Sequence, residues 1–110
     1  ERGIIAYDVL VNQCNMSAVD FMKLVSENPA KLYGMYPKKG TLAVGSDGDI
    51  TIVDKNVKHI LSIESAHTKA DYIPYEGLSV TGMVRDVILR GHHVVQDGSL
   101  IESYLGECIP

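Results

Sequence analysis

The chain has 110 residues, of which 45% are hydrophobic and 22% are charged, and its formal net charge is −4. This length allows one ordinary domain at most, and the composition is typical of a globular core rather than of a disordered segment. The sequence contains no basic stripe and no apolar run near the roughly 20 residues of a membrane span, which argues against nucleic acid and membranes as partners.

The chain start and the cysteines bear on the origin of the sequence. The chain begins Glu1-Arg2-Gly3, without an initiator Met or a signal-peptide pattern, so we expect a fragment or a processed product. Cys14 and Cys108 lie far apart, with no CxxC spacing and no nearby His. They predict two reduced thiols in a cytoplasmic protein rather than a metal pair.

The first part of the chain carries helical signals. Residues 4–11 are apolar at several spacings and allow either a helix or a strand. Ser17 is typical of a helix N-cap, and Asp20 stands three residues further on in a box-like position. These residues predict a helix that begins after Ser17 and ends near Glu27.

A second short helix is predicted directly afterwards. Asn28 is a good N-cap, and Pro29 suits the first helical position. Gly34 can end this helix in the left-handed conformation, and residues 37–40 are typical of a turn.

From there the pattern favours strands. Residues 45–49 form a turn rich in glycine and aspartate, within which we expect Asp47 or Asp49 to bond backbone amides. Residues 50–53 alternate and predict a strand with Ile50 and Ile52 on one face. A turn at 54–56 and a second short strand at 57–60 follow.

The last part predicts an irregular polar loop over residues 64–77 and strands over 83–89 and 93–96, with Arg90-Gly91 between them. Asp97-Gly98 is a strong turn dipeptide, and residues 100–101 can form a last short strand. So few strands cannot close a barrel, and an open sheet leaves edges that natural proteins usually cover. The pattern therefore indicates that part of the fold is missing.

The histidines do not suggest a metal site. His92 and His93 are neighbours in a predicted strand, so they point to opposite faces and cannot readily bind one metal. His59 and His67 have no carboxylate at ligand spacing.

The remaining candidates also lack a functional pattern. Asp47, Asp49 and Asp54 do not follow the spacing of a calcium-binding loop, and their place beside glycines favours turn hydrogen bonds. The glycines form no phosphate loop, and the serines occupy no nucleophile elbow. The residues themselves thus indicate an α+β domain with no catalytic, cofactor or metal residue.

Several motifs together resemble the C-terminal region of dihydropyrimidinases and hydantoinases, the cyclic amidases of the amidohydrolase superfamily. They cover nearly the whole chain: Ser26-Glu27-Asn28-Pro29-Ala30-Lys31-Leu32-Tyr33-Gly34-Met35-Tyr36-Pro37-Lys38-Lys39-Gly40, Ala43-Val44-Gly45-Ser46-Asp47-Gly48-Asp49-Ile50, Asp71-Tyr72-Ile73-Pro74-Tyr75-Glu76-Gly77, Leu89-Arg90-Gly91 and Val94-Val95-Gln96-Asp97-Gly98. The first two motifs are shared by many amidohydrolases, whereas the last three are more specific to the cyclic-amidase branch.

The resemblance implies an α+β fragment. Residues 1–40 would be a helical remnant from the end of a (β/α)8 barrel, 41–101 the C-terminal strands of a β-sandwich, and 102–110 a tail. The family's metal ligands, which are histidines, a carboxylated lysine and an aspartate, would all precede Glu1. The missing partners would be the barrel and the N-terminal sandwich strands of the same protein, in a homo-oligomer.

The parent reaction implied by the resemblance is hydrolytic opening of a cyclic amide such as a dihydropyrimidine or hydantoin. Two zinc ions would activate a bridging hydroxide, with the aspartate as proton shuttle, and the fragment alone would be inactive. Two alternatives stay open: the C-terminal part of a metal-free dihydropyrimidinase-related regulatory protein, or a stand-alone binding module.

The sequence departs from the family pattern at three places. Gly48 replaces the usual Ala of the turn, Cys108 stands where an aromatic is common, and the chain stops at Pro110, where the family often continues with a basic residue. These departures leave the branch assignment intact and weaken any inference about contacts of the tail.

Overall fold

The computed structural model describes residues 2–66, 68–101 and 106–109. The first helix, α1, spans Arg2–Tyr7 and continues into a wider, π-helical stretch over Asp8–Gln13. The apolar stretch that allowed a helix or a strand is therefore helical.

A second helical segment begins after Ser17. It consists of α2 (Ala18–Met22), a π-helical stretch (Lys23–Glu27) and α3 (Asn28–Leu32). The Asp20 N–H donates to Ser17 Oγ at 3.1 Å, and Ser17 Oγ–H donates back to Asp20 Oδ2 at 2.7 Å. The predicted N-cap is thus confirmed.

The predicted break after Glu27 is wrong. Glu27 and Asn28 both have right-handed helical backbone angles, with φ of −66° and −65°, so Asn28 does not cap a new helix. The stretch just before Pro29 has wide turns, which loosen the usual hydrogen-bond ladder where proline lacks an N–H. The helical segment can therefore pass the proline without ending.

The segment ends as predicted at a glycine. Tyr33 N–H donates to Pro29 O at 3.0 Å, and Gly34 adopts a φ of +71°. A turn over 36–38, with a cis Tyr36–Pro37 peptide bond, follows and confirms the turn predicted there.

In the described part of the chain, four strands form one sheet in the order β1-β2-β3-β4. They span Ile50–Ile60 (β1), Ser79–Leu89 (β2), His92–Gln96 (β3) and Ser99–Leu100 (β4). β2 pairs antiparallel with β3, with Leu89 opposite His92, and β3 pairs antiparallel with β4. Between β1 and β2 the described loop residues include one short 3₁₀ turn, Ile63–Ser65, so the predicted irregular loop is largely confirmed.

β1 runs further than predicted. Ile50 and Ile52 are partly buried while Thr51 and Val53 are exposed, which confirms the predicted alternation. The turn predicted at 54–56 is wrong, because the strand continues through it. The Asn56 N–H does donate to Asp54 Oδ1 at 3.0 Å, but β-branched residues on both sides favour the extended chain.

The predicted turn at Asp97-Gly98 is confirmed, and the predicted interruption at Arg90-Gly91 is a second tight turn. Arg90 and Gly91 have φ of +46° and +83°, and Asp97 and Gly98 have φ of +48° and +76°. Two positive φ angles in succession are what a two-residue type I′ hairpin requires, and this turn matches the twist of the flanking strands.

The chain divides into two compact units. The first unit comprises Glu1–Phe21 and Asp54–Met83, and the second comprises Met22–Val53 and Val84–Pro110. In the first unit a small core forms around Ile4, Leu61, Ile73 and Val80, with the Tyr7 and Phe21 rings edge-to-face at 5.5 Å. In the second unit Ala30 is buried, while Leu42 and Val44 are exposed. The α+β character predicted from the sequence is confirmed.

Within the described ranges, no helix is both long enough and apolar enough to cross a membrane.

Candidate functional site

The ammonium of Lys39 lies between two carboxylates in the second unit. Its Nζ is 2.7 Å from Asp47 Oδ2 and also donates to Asp49 Oδ2. The turn after α3 positions Lys39, whose N–H donates to Met35 O, and the following loop positions Asp47, whose N–H donates to Lys38 O. We call Lys39, Asp47 and Asp49 the Lys39 cluster.

The second oxygen of Asp49 binds backbone. Its Oδ1 accepts the Arg90 N–H at 2.9 Å, and beside it the Gly91 N–H donates to Gly48 O at 3.1 Å. Asp49 thus bonds a backbone amide, as predicted, but this amide lies in the turn after β2 and not in the turn at residues 45–49. Asp49 directly precedes β1, which neighbours β2, so its side chain reaches the turn that follows β2.

The charges of the Lys39 cluster stabilise one another. The hydrogen bonds from Lys39 to Asp47 and then to Asp49 raise the pKa of the lysine above its ordinary value. Burial opposes ionisation of Asp49, but the Lys39 ammonium and the Arg90 N–H outweigh it and lower the pKa of this carboxyl. Lys39 and Asp49 are consequently charged at neutral pH.

A cavity of about 360 Å³ borders this cluster. Its walls are mainly apolar and include Met22, Val25, Pro29, Met35, Leu42 and Ile50. The charged side chains of the Lys39 cluster, Lys39, Asp47 and Asp49, complete the lining. Because the ammonium and the carboxylates already bind one another, the cluster joins loop segments rather than presenting a reactive group.

A buried carboxylate organises the first unit. Asp8 accepts hydrogen bonds from Asn12 Nδ2 at 2.8 Å, Gln13 Nε2 at 3.0 Å and the Thr81 N–H at 3.1 Å. The Asn12 bond is the main cause of a lowered pKa for Asp8, and the other two bonds add to it against the effect of burial. Sequence reasoning missed this residue, although an aspartate within an apolar run and an amide four residues later were visible signals.

A second buried carboxylate lies on β2 in the second unit. Arg85 Nε donates to Asp86 Oδ2 at 2.6 Å, and the Asp97 N–H donates to Asp86 Oδ1 at 3.3 Å. The Arg85 bond is the main cause of the lowered pKa of Asp86. His93 Nε2 is 4.0 Å from the same carboxylate. Through its bond to the Asp97 N–H, the Asp86 carboxylate holds the turn between β3 and β4 against β2.

The other residues considered from the sequence do not converge. His92 and His93 are both exposed at the start of β3, His59 is half-buried on β1, and Cys14 and Cys108 are exposed free thiols. His67 lies outside the described residues. Asp54 bonds the backbone of β1 rather than joining Asp47 and Asp49.

The described residues do not fit a metal centre. Over 2–66, 68–101 and 106–109, no group of three or more His, Cys, Asp or Glu side chains lies close enough to hold an ion. Asp47 and Asp49 both bind the Lys39 ammonium. Asp8, Asp49 and Asp86 are thus used for hydrogen bonds and ion pairs within the fold.

Comparison with known proteins identifies the class of this α+β chain. The model of the amidohydrolase family matches residues 1–94. The chain therefore belongs to the amidohydrolase family, and the predicted resemblance is confirmed.

Similar sequences narrow the class to a branch. The chain is 42% identical over 107 residues to a D-hydantoinase from Ralstonia pickettii, covering 97% of this chain and 22% of that protein. It is 40% identical over 101 residues to a D-hydantoinase from Geobacillus stearothermophilus, covering 92% of this chain and 21% of that protein.

Solved structures agree with the sequences. The chain superposes on a dihydropyrimidinase from Brevibacillus agri with a TM-score of 0.86 at 39% identity, over 90% of this chain and 22% of that one. It superposes on a D-hydantoinase from a Thermus species with a TM-score of 0.88 at 32% identity, over 93% of this chain and 22% of that one. The chain thus spans about a fifth of the length of these relatives.

Proposed function

We propose that this chain is the non-catalytic C-terminal portion of a metal-dependent cyclic-amide hydrolase of the dihydropyrimidinase or D-hydantoinase type. The observation that carries the proposal is the 42% identity to a D-hydantoinase across 97% of the chain but 22% of that relative. The parent would open cyclic amide rings such as dihydropyrimidines or hydantoins.

The chemistry of the described side chains supports a structural role. Asp8, Asp49 and Asp86 each accept a backbone N–H from a distant or neighbouring segment. Carboxylates used in this way fix the relative positions of loops and strands and are not available as a base or ligand. The metal ions, two zinc ions in our proposal, would be held by residues of the parent outside this chain.

Within this proposal the domain boundaries follow the resemblance. Residues 1–40 would come from the end of the barrel, residues 41–101 from the sandwich, and residues 102–110 from the tail. Further strands of the same protein would complete the sandwich, and the parent would be a cytoplasmic homo-oligomer. The names of the relatives favour this hydrolase over a metal-free regulatory protein.

A segment exchange tests the proposal. The segment of the Ralstonia pickettii D-hydantoinase that aligns with this chain is replaced by the chain itself, and hydantoin hydrolysis is measured alongside the metal content. We expect the chimera to fold and to hydrolyse hydantoin, because the catalytic residues are supplied by the rest of that enzyme. The same enzyme without the segment serves as the control and should be inactive.

The isolated chain provides the second arm. Mixed with zinc, it should not hydrolyse dihydrouracil or hydantoin faster than zinc alone. Turnover above that level would contradict the non-catalytic assignment. A folded, metal-loaded chimera without activity would contradict the assignment to this branch.

A further inference from the structure

The backbone of Thr81 on β2 is bound by two side chains of the π-helical stretch that follows α1. The Thr81 N–H donates to Asp8 Oδ1 at 3.1 Å, and Asn12 Nδ2 donates to Thr81 O at 2.9 Å. In an antiparallel sheet, a residue of the neighbouring strand would both accept the N–H and donate to the carbonyl. Asp8 and Asn12 together therefore make the two bonds of a strand neighbour, and these bonds attach the helical segment to β2.

The π-helical stretch, which we call the wide turn, brings these side chains together. Asn12 Nδ2 and Gln13 Nε2 both donate to the Asp8 carboxylate, at 2.8 Å and 3.0 Å. In an α-helix of about 3.6 residues per turn, the residue five positions along lies about 140° around the axis and points away. Here the Cys14 N–H donates to Val9 O, five residues back. The turn is therefore wide enough for Asp8 to lie between Asn12 and Gln13.

A glycine lets the helical segment come close enough for these bonds. Gly82 follows Thr81 on β2 with a φ of +126°, and a Cβ built there would lie 3.0 Å from Ile4 Cδ1 and 3.1 Å from Tyr7 Cδ1. Ile4 and Val80 lie in the same buried apolar cluster. The helical segment is thus held on β2 by apolar contacts at Val80 and Gly82 and by hydrogen bonds at Thr81 between them.

The wide turn has a narrower alternative. Helices usually close hydrogen bonds from i to i−4, and turns that close from i to i−5 are rare. In the narrower α-helix the residue four positions along lies about 40° past the first, so Asn12 would move to the other side of Asp8. Its bond to Thr81 O would then be lost, because Asn12 and Asp8 bind both backbone groups of Thr81 only in their present order.

One carboxylate therefore serves both the shape of the turn and its attachment to the sheet. The bonds from Asn12 and Gln13 to Asp8 are made within the wide turn, and the bond from Thr81 is made to β2. Hydrogen bonds to an ionised acceptor are stronger than neutral ones, so together they can hold a turn that is otherwise unfavourable.

From this shared carboxylate we propose that the wide turn and the attachment to β2 are coupled, so that each is stable only with the other. When a bond to Asp8 is lost, the turn changes to the α-helical geometry and Thr81 is released. The segment is then a two-state element that transmits a change in the helix to the sheet within the first unit. The proposal goes beyond the proposed function and does not depend on it.

Amide hydrogen exchange of the 110-residue chain, read by NMR at neutral pH, tests the coupling. Gln13→Ala removes one bond to Asp8 and no bond of Thr81. We expect the Cys14 and Thr81 N–H groups both to exchange about tenfold faster or more, because one bond to an ionised acceptor is lost and both amides report the same local opening. The helical contacts of Val9 should also move from residue 14 to residue 13. Asp8→Asn, which keeps the size of the side chain but one acceptor oxygen, should act in the same direction.

Two controls separate a local opening from a general loss of stability. The Gly98 N–H, which donates to Arg85 O at 2.8 Å in the second unit, should keep its exchange rate. Gln96→Ala makes the same substitution at an exposed position of β3 and should leave Cys14 and Thr81 unchanged. Faster exchange at only one of these two amides would overturn the proposal, because the turn and the attachment would then be independent. An equal rise at Gly98, or unchanged exchange at both amides, would overturn it as well.

Discussion

The carboxylate of Asp8 links two parts of the first unit that are 73 residues apart in sequence. It is 7% exposed and accepts hydrogen bonds from Asn12, Gln13 and the Thr81 N–H. Hydrogen bonds to an ionised acceptor are stronger than neutral ones, and a buried donor that loses its acceptor is costly.

Replacing Asp8 with Ala should therefore destabilise the chain. We expect the free energy of unfolding to fall by about 1–3 kcal/mol, because the Thr81 N–H and two side-chain amides lose their acceptor. Urea unfolding measures the change. Asp71→Ala, which removes an exposed carboxylate, should stay within about 0.5 kcal/mol of the original chain. Equal values for the two variants would show that the Asp8 bonds contribute nothing net.

Side-chain roles were predictable from the sequence where the partner is local. The cap of Ser17 with Asp20 was predicted correctly because both partners lie within one helical turn. The role of Asp8 and the bond from Arg90 to Asp49 were missed, because they depend on which segments the sheet and helix bring together. Spacing along the chain carries no information about such contacts.

At the level of elements, Gly40 allows the chain to pass close to the helical segment before it. Its φ is +83°, and a Cβ built there would lie 2.5 Å from Ala30 Cβ and 3.0 Å from the Ser26 carbonyl oxygen. Gly45 has a φ of +94° but no atom within 4 Å of the corresponding position. A side chain at Gly45 would therefore meet only backbone strain, whereas a side chain at Gly40 would meet backbone strain and steric overlap.

Alanine at these two positions should have unequal effects. Gly45→Ala should cost about 1–2 kcal/mol for the positive φ alone. Gly40→Ala should cost about 1–3 kcal/mol more, because the helical segment must also shift. The difference in melting temperature between the variants measures this second contribution. Identical melting temperatures would mean that the segment before Gly40 moves aside freely.

Element types were better predicted than element boundaries. The alternation of Ile50 with Ile52 and the Asp97-Gly98 turn were predicted correctly, since both signals are local. The breaks predicted at Asn28 and at residues 54–56 were wrong, because wide helical turns and β-branched flanks overrode the cap and turn propensities.

At the scale of the molecule, lowered carboxyl pKa values occur in both units. Asp8 lies in the first unit, and Asp49 and Asp86 lie in the second. A carboxyl whose folded pKa lies below its unfolded value, about 3.9 for aspartate, stabilises the fold above that value. This stabilisation is lost as the pH falls through the folded pKa, so the chain should unfold more easily in acid below about pH 4.

Lys39→Met tests one part of this acid sensitivity. At pH 6 the variant should be about 1–3 kcal/mol less stable, because Asp47 and Asp49 lose their counterion in a partly buried site. Between pH 6 and pH 3 it should lose less stability than the original chain, since Lys39 no longer lowers the pKa of Asp49. Urea unfolding across this range measures both effects, with Lys38→Met, at an exposed lysine, as the control. If the stability of the variant and of the original chain changed with pH in parallel, Lys39 would not lower the pKa of Asp49.

The different loop lengths between contacting segments also affect the order in which the chain folds. The pairing of β2 with β3 closes through the two residues Arg90 and Gly91, whereas the bond from Thr81 to Asp8 requires closure of a loop of 73 residues. Closing a long loop costs more chain entropy than closing a hairpin, and hairpins form within about 1–10 μs. We therefore expect the C-terminal hairpins to form early and the N-terminal helix to dock last. The folding rate should accordingly be set by this long-range contact rather than by local turns.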